Sequence, residues 1–471
     1  RTDMKNTEVA TSLNIMTFSQ GCAIGWVSPS LPILNDPDFS PLGAPLTVLQ
    51  ASLVASTYCV GAIVGTPVFG WLADRFGRKK SAMAIAVPFM LVWLNPTALI
   101  CARFMAGFGS SGNLIICPLY SSEVASVRAR GALGSLLTFS NNLGIAVIYI
   151  LGAYLSYFTV LVMMLCMPFL SFILMSRMPE SPSFLVKTKQ TKVNHNTTSN
   201  YISIAYFILH YHRNNICSVR GEMTRHVTSR STSLYGNTRN RDRPLALTVS
   251  LLTCQVFTGI FAVLTYTTNI FEEAGSTLSP SMSTIIVGII QFMGSIVASS
   301  LIEKLGRKIL LISSSCTVML SMATLGTYFY VRDTGYDVSS LGWIPVTSLS
   351  VVVCTFSMGI GPVPFILPSE MFLVRGLATS IGLTCLWTFT FLVAQFFAPL
   401  VILLGIHTLF WGFAIVGCLA ILIAAFFLPE TKGRPIEEIV AYFDGQKHKA
   451  RGVELVGGPF QKFKLVDGDT E

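Results

Sequence analysis

Charged residues are scarce in this chain. Asp, Glu, Lys and Arg make up 12% of its 471 residues, whereas soluble domains average about 25%. This shortage argues against a soluble enzyme or binding module. Metal-site spacing is missing too, because the 11 cysteines include no CxxC pair and lie mostly in apolar runs, which predicts buried free thiols. An initial Met and a cleavable signal peptide are also absent, so we expect the natural amino terminus to lie upstream of Arg1.

Alternating apolar and polar residues, the pattern of a membrane β-barrel, are absent as well. The chain instead contains runs of roughly 20 apolar residues, each long enough to cross about 30 Å of hydrocarbon as a helix. Backbone groups in lipid must be satisfied within their own segment, so these runs predict helices. The twelve predicted spans are Thr11–Leu34, Leu46–Leu72, Ser81–Leu94, Arg103–Tyr120, Ala132–Leu155, Phe158–Met178, Pro244–Phe271, Ser283–Leu301, Ile309–Tyr330, Trp343–Phe365, Gly376–Leu403 and Thr408–Leu428.

The third of these spans is unusually short. The pair Asn95-Pro96 is the only turn signal between Ser81 and Tyr120. It leaves Ser81–Leu94 with about 14 residues, below the usual minimum for a spanning helix. Either the third helix is short or residues are missing from this chain.

The spans divide the chain into two six-helix halves. We predict an all-α membrane protein with twelve transmembrane helices: a bundle at 1–182, a cytoplasmic linker with short helices at 183–243, a second bundle at 244–430 and a cytoplasmic tail at 431–471. Of the 32 Lys and Arg residues, only Arg103 and Arg332 fall toward the outside, so the positive-inside rule places both termini in the cytoplasm. The same rule accounts for the net charge of +9. We therefore expect a lipid bilayer, and no nucleic acid, as the partner.

A basic loop occurs twice between long apolar runs. Asp74–Lys80 (DRFGRKK) is repeated as Glu303–Lys308 (EKLGRK). Two further motifs recur at a similar offset: Glu123 with Arg130-Gly131 is echoed by Glu370 with Arg375-Gly376, and Pro179–Pro182 by Pro429–Lys432. One half is therefore a degenerate copy of the other, which is typical of transporters.

Acidic and basic residues cluster at the cytoplasmic helix ends near these loops. Ionic contacts at one mouth of a transporter can hold one state and break in the other. We predict that Asp74 pairs with Arg130 and that Glu303 pairs with Arg375, with Glu180 and Glu430 as further carboxylates at this level. The alternative is a set of ordinary basic loops that only obey the positive-inside rule. The predicted gating residues are Asp74, Arg75, Arg78, Glu123, Arg130, Glu303, Arg307, Glu370 and Arg375.

Several small or rigid residues accompany this cluster. Gly70 and Gly77 are expected to let the second and third helices turn tightly and pack closely. The predicted structural residues are Gly70, Gly77, Gly306, Pro362 and Pro364.

These motifs resemble a known family. Gly70–Lys79 (GWLADRFGRK) resembles the loop signature of the major facilitator superfamily. Six further segments resemble motifs of its sugar-porter branch: Arg103–Gly107, Pro118–Glu123, Arg130-Gly131, Pro179–Pro182, Gly361–Pro364 and Pro429–Gly433. Within that branch, Gly25–Pro29 and Pro45–Thr47 look like insect facilitated trehalose transporters. The resemblance extends from about Ser12 to Ile439.

The resemblance implies alternating access around a central site, with sugar ligands on the fifth, seventh, tenth and eleventh helices. In the seventh-helix pattern Gln-Gln-x-x-Gly-x-Asn, Gln255 and Gly259 match, but Val256 and Phe261 replace the second Gln and the Asn. Other polar ligands are also replaced, with Thr138 on the fifth helix, Phe365 on the tenth and Leu386 on the eleventh. The candidate substrate-binding residues are Gln255, Thr138, Asn141, Tyr266 and Trp387, and the weaker candidates are Thr265, Gln291 and Gln395.

Buried acids are missing from the predicted spans. Proton-driven transport usually depends on a carboxylate within the membrane. The first span contains no Asp or Glu, and the eighth to twelfth contain none at their centres. This favours facilitated diffusion of trehalose or a hexose across the plasma membrane, with no catalytic residue, cofactor or metal. The eroded ligand set leaves two alternatives, a non-transporting sugar sensor and a facilitator of a more apolar small molecule. The sequence carries no signal for an oligomeric state.

Overall fold

The computed structural model describes residues 2–36, 38, 40, 41, 44–92, 99–124, 130–181, 184, 239–275, 278–371 and 375–432. Most of the predicted linker and tail lies outside these residues. The first group of helices is α1 Thr2–Gly25, α2 Val27–Asn35, α3 Val48–Phe76, α4 Arg78–Val92, α5 Leu99–Val124, α6 Arg130–Tyr154 and α7 Tyr157–Arg177. The second group is α8 Arg239–Phe257, α9 Ile260–Ala274, α10 Pro280–Leu305, α11 Arg307–Asp333, α12 Ile344–Met358, α13 Val363–Met371, α14 Arg375–Leu404 and α15 Ile406–Phe427.

Ten segments of the described chain are long and apolar enough to cross a membrane, and they confirm the all-α multi-pass architecture. Two predicted spans are not among them. The first is described as two helices, α1 and α2, on either side of a turn at Trp26. The third is α4, whose 15 described residues extend only about 22 Å as a helix. Residues 93–98, which follow α4, lie outside the described residues, so the short third helix stays a prediction.

The first long element of each group is broken. In the first group, the amide of Trp26 donates to Cys22 O at 2.9 Å, and α2 then begins at Val27. In the second group, Gly259 separates α8 from α9 with a φ of +84°, a region that favours glycine. A Cβ at Gly259 would also collide with the Phe413 ring. Irregular backbone at membrane depth is found where it is enclosed by protein or lines a cavity.

The two groups repeat the same packing. Helix α3 packs on α5, and α4 packs on both α5 and α7. Correspondingly, α10 packs on α12, and α11 packs on both α12 and α15. The pairs α1–α6 and α8–α14 match in the same way. This correspondence is what a duplicated six-helix unit would produce.

Close approach between helices depends on small residues, as is usual in membranes. Where α3 crosses α5, a Cβ on Gly61 would collide with the backbone oxygen of Phe104, and one on Gly107 with that of Tyr58. The two helices therefore pack backbone against backbone at this crossing.

Four helix pairs of the described chain join the two groups: α2–α9, α3–α14, α6–α10 and, less extensively, α1–α9. Among the described residues, their polar contacts lie mid-helix and toward the end of the bundle where α2 lies. We call this end the Ser28 end and the opposite end, where α3 and α10 finish, the Gly77 end. The polar contacts between groups include Ser28 Oγ with Thr268 Oγ1 at 3.1 Å, Ser56 Oγ with Gln395 Oε1 at 2.6 Å, Gln291 Nε2 with Asn142 Oδ1 at 3.4 Å and the Tyr149 hydroxyl, which donates to Leu264 O at 3.1 Å.

Candidate functional site

Glu180 caps the start of α4 at the Gly77 end. Its Oε1 accepts the backbone N–H of Arg78 at 2.7 Å and that of Lys79 at 3.0 Å. The first N–H groups of a helix have no intrahelical acceptor and point their positive dipole outward, so a carboxylate is favoured there. Gly77, with a φ of +95°, makes the approach possible, because a Cβ on it would lie 2.5 Å from Glu180 Oε2.

Glu430 caps α11 in the same way. The backbone N–H groups of Arg307 and Lys308 donate to its carboxylate at 3.0 and 3.1 Å. The preceding Gly306 has a φ of +87°, and a Cβ on it would lie 2.7 Å from Glu430 Oε2. The duplicated loop therefore builds the same cap twice.

Lysines complete these caps by binding the opposite helix ends. Lys79 Nζ donates to Ser176 O at 2.8 Å in the last turn of α7, and Lys308 Nζ donates to Ala425 O at 2.7 Å in the last turn of α15. Cations are favoured at helix C-termini, where carbonyls have no intrahelical donor. Each group is thus fastened at the Gly77 end by contacts that run in both directions between α4 and α7, or between α11 and α15.

Arg78 makes the central ion pair of the first cap. Its side chain is buried, and its Nη2 lies 2.8 Å from Glu123 Oε1. Nη1 donates to Ala73 O at 2.9 Å, and Ser181 Oγ donates to the other oxygen of Glu123. Asp74 is more distant, 4.0 Å from Arg78 Nη1, and its side chain is exposed. The close partner of Arg78 is therefore Glu123, and charge-assisted bonds of this kind are the stronger ones.

The structure describes fewer contacts for the other predicted gating residues. Arg75 is exposed, and Arg307 Nη1 lies 3.4 Å from Ile302 O. The side chains of Arg130, Glu303, Glu370 and Arg375 lie outside the described residues. The Asp74–Arg130 and Glu303–Arg375 pairs therefore stay predictions.

The predicted structural residues also differ from one another. Gly77 and Gly306 occupy turns that need glycine, but a Cβ on Gly70 would have no described atom within 4 Å. The close packing expected at Gly70 is thus not found among the described residues. Pro362 O accepts the N–H of Phe365 at 3.2 Å as α13 begins, and Pro364 lies in the first turn of α13, where the missing N–H of a proline is tolerated.

The pH dependence of the second cap follows from its donors. Burial alone would raise the pKa of Glu430, but backbone N–H groups, among them those of Lys432, Arg307 and Lys308, outweigh burial and lower the pKa below its usual value. A depressed folded-state pKa gives stability that is present above the unfolded pKa and is lost as pH falls through the folded pKa. We expect Glu430→Gln to speed amide exchange at the start of α11 at pH 7. This difference from the parent should disappear below the pKa of Glu430, and a pH-independent difference would contradict the cap.

Gln255 lies at the centre of the second group, between two helix breaks. It is buried, two residues before the end of α8, and its Nε2 donates to Gly361 O at 3.3 Å in the turn between α12 and α13. Its Oε1 is buried with no hydrogen-bond partner among the described residues. Binding sites of transporters are often built at such discontinuous helices.

Further buried polar atoms on helices that join the groups have no hydrogen-bond partner among the described residues. They are Gln291 Oε1 on α10, Trp387 Nε1 on α14, Ser52 Oγ on α3 and Asn269 Oδ1 on α9. Across the interface, Gln291 contacts Asn142 through its Nε2, and Trp387 lies edge-on to Tyr58 with ring centroids 5.9 Å apart. An unsatisfied buried polar group costs about 1–3 kcal/mol. The two glutamine acceptors and the indole donor therefore offer hydrogen bonds that a polyhydroxyl ligand can complete.

The remaining predicted substrate residues lie in different surroundings. Thr138 is exposed and Asn141 is half-buried. The next residue, Asn142, lies one helical turn beyond Thr138 and is buried. The hydroxyl of Tyr266 already donates to Ala394 O at 3.1 Å, and its ring stacks on Phe397. Asn142 was missed from the sequence, where its signal was its position directly after Asn141.

The chain matches known transporters over nearly its whole length. A family model described as "Sugar (and other) transporter" matches residues 7–443. The facilitated trehalose transporter Tret1 of Polypedilum vanderplanki is 31% identical over 453 residues, which cover 94% of this chain and 89% of that protein. Tret1 of Apis mellifera ligustica is 30% identical over 461 residues, with coverages of 94% and 89%. Tret1 of Drosophila yakuba is 30% identical, but the match spans only 52% of that longer protein.

Solved structures share the fold. The xylose transporter XylE from E. coli, in an inward open conformation, superposes with a TM-score of 0.72 at 23% identity, covering 93% of this chain and 99% of that one. Another XylE structure, described as a major facilitator superfamily proton:xylose symporter, gives 0.72 at 23% identity, with coverages of 94% and 100%. The predicted resemblance to sugar transporters is confirmed: this multi-pass membrane chain belongs to the sugar transporter family, a family of transporters rather than of enzymes.

Proposed function

We propose that this chain carries trehalose or a hexose across the plasma membrane by facilitated diffusion. The two helix groups would alternate around the polar centre formed by Gln255, Gln291 and Trp387. The positive-inside rule would place the Gly77 end in the cytoplasm, since the basic loops lie there. The sugar assignment is also supported by the Tret1 relatives, which are named facilitated trehalose transporters.

The observation that supports a sugar cargo is a set of unpaired buried polar atoms on α8, α10 and α14. Gln255 Oε1, Gln291 Oε1 and Trp387 Nε1 have no partner among the described residues. A sugar hydroxyl both donates and accepts, so a ligand of this class can pair with either kind of atom. Sugar hydroxyls leave water at low cost only where such bonds replace those to the solvent.

A more apolar cargo is less well supported. Its argument was the replacement of polar ligands by Val256, Phe261 and Leu386. Val256 and Leu386 are 0% and 1% exposed within the hydrophobic core, so they add no accessible apolar surface. Phe261 is partly buried against the same core.

Alternation between two states is supported by how the groups are joined. Among the described residues, the polar contacts between groups lie mid-helix and at the Ser28 end, while at the Gly77 end each group is fastened within itself by Glu180 or Glu430. Groups that are rigid and share few polar contacts can rock against each other. With the Gly77 end in the cytoplasm, the described state is closed toward the outside.

We expect transport to be independent of a proton gradient. Among the described side chains, the charged ones in the buried class are Arg78 and Arg103, and no Asp or Glu joins them. Purified protein in liposomes should therefore give saturable uptake of labelled trehalose or glucose that stops at equal concentrations. An imposed pH gradient should leave the initial rate and the final level unchanged.

The same assay separates the alternatives. Accumulation above the outside concentration, driven by the pH gradient, would overturn facilitated diffusion. Absence of saturable sugar flux would overturn the proposal, with sugar binding but no flux indicating a sensor. Flux confined to a panel of apolar small molecules would indicate the other cargo.

A further inference from the structure

Arg103 on α5 is a buried cation that the proposed transport mechanism does not use. It is 3% exposed. Arg78, the other buried cation among the described side chains, has Glu123 as its counter-ion. No carboxylate of the described residues lies within 4.0 Å of the Arg103 guanidinium, whose partners are backbone carbonyls and aromatic rings. A charge held in this way at membrane depth suggests a specific task.

The guanidinium binds the end of α1. Its Nη1 donates to Ala23 O at 2.6 Å. Helix α1 ends at Gly25, so the carbonyl of Ala23 lies in its last turn, among those that a helix end leaves without an internal donor. The negative end of the helix dipole points there, which favours a cation. Arg103 therefore caps α1 at the break that separates it from α2.

The same guanidinium also holds α3. Its Nε donates to Val54 O at 3.1 Å, and its carbon lies 4.8 Å from the centroid of the Tyr58 ring and 5.8 Å from that of Trp26. Cations attract the faces of aromatic rings, and more strongly when water is excluded. A planar guanidinium, with several N–H donors in fixed directions, suits this role better than the single ammonium group of a lysine.

Both elements held by Arg103 lead to the second group. Beyond Trp26, α2 contacts α9, where Ser28 Oγ also accepts the backbone N–H of Thr268 at 3.2 Å. The Tyr58 ring meets Trp387 of α14. One buried cation thus orients two of the helix pairs that join the groups, α2–α9 and α3–α14.

We propose that Arg103 is a positioning residue for closure at the Ser28 end. By capping α1 and lying over Tyr58 and Trp26, it holds α2 against α9 and α3 against α14. Its loss opens the Ser28 end more often and shifts the population toward the alternative state. The role as a gate rests on the proposed alternating transport, but the contacts that define it can be tested without any sugar.

Hydrogen–deuterium exchange with mass spectrometry tests this on the whole chain in lipid nanodiscs. For Arg103→Gln we expect about tenfold faster exchange in peptides from α2 and α9, the size of one lost buried capping contact. Exchange at the start of α4 should slow, because the Gly77 end closes as the Ser28 end opens. Arg103→Lys keeps the charge without the planar fork, and should show the same pattern with a smaller increase. Arg177→Gln, which removes an exposed cation at the end of α7, should match the parent.

Two results would overturn the proposal. One is unchanged exchange in α2 and α9 for both Arg103 variants. The other is an increase spread evenly over α1–α7, which indicates general loosening of the first group and not one lost orientation. If Arg103→Gln fails to fold, Arg103→Lys carries the test. Since the measurement uses no sugar, its outcome is independent of whether the chain transports one.

Discussion

Gly77→Ala should destabilise the protein by about 2–4 kcal/mol, whereas Gly70→Ala should not destabilise it. Gly77 has φ and ψ of 95° and 172°, a region that is essentially restricted to glycine. A Cβ there would also lie 2.5 Å from Glu180 Oε2 and 2.9 Å from the Phe184 ring. The substitution therefore strains the turn and displaces the carboxylate that caps α4.

Gly70→Ala is the matched control, since it adds the same methyl group seven residues earlier. Gly70 lies inside α3, and its Cβ would meet no described atom within 4 Å. Alanine in a helix interior is favoured over glycine by roughly 0.5–1 kcal/mol. Thermal unfolding of the purified variants, together with initial uptake rates, measures the contrast. Equal melting temperatures for Gly77→Ala and Gly70→Ala would show that the turn does not need glycine.

Gln255→Leu should raise the KM for sugar transport by a large factor. The substitution keeps a similar volume but removes the buried Oε1 that has no partner among the described residues. One lost hydrogen bond to a ligand corresponds to about 1–3 kcal/mol, or roughly 5–150-fold in affinity. It also removes the donor to Gly361 O. Concentration-dependent uptake into liposomes gives KM and the maximal rate separately.

Gln395→Leu is the control for this second prediction. Gln395 is a half-buried amide on α14 whose Oε1 already accepts from Ser56 Oγ across the two groups. Its loss should change the maximal rate, because the closing contact is weakened, and leave KM near that of the parent. A KM that is unchanged in Gln255→Leu, or raised equally in both variants, would remove Gln255 from the binding site.

The helices could be predicted from the sequence because their cause is local. An apolar run in lipid must satisfy its own backbone, so length and apolar content decide both the helix and the span. A short α4 is predicted on the same grounds. The turn at Trp26 was not predicted, since apolar content continues through it. Arg103, which binds the end of α1 at Ala23 O, lies 80 residues from Ala23 in sequence.

The candidate site also has some residues that could be predicted from the sequence and others that could not. Gln255 and Trp387 are predicted as binding residues from motif positions, and both have buried atoms with no partner among the described residues. Asn142 was missed because its burial depends on how α6 packs against α10. Glu180 and Glu430 were noticed as repeated carboxylates, but a sequence does not show which helix terminus a side chain reaches.

By itself, the sequence determined that this chain is a duplicated, multi-pass transporter, because composition and repeated motifs fix helices and family. The tertiary structure decided which charges and amides meet. It assigned Glu123 to Arg78, Glu180 to the start of α4 and backbone carbonyls to Arg103. The physical reason is that such contacts are short-ranged and join residues far apart in the chain, so they exist only once the helices have packed.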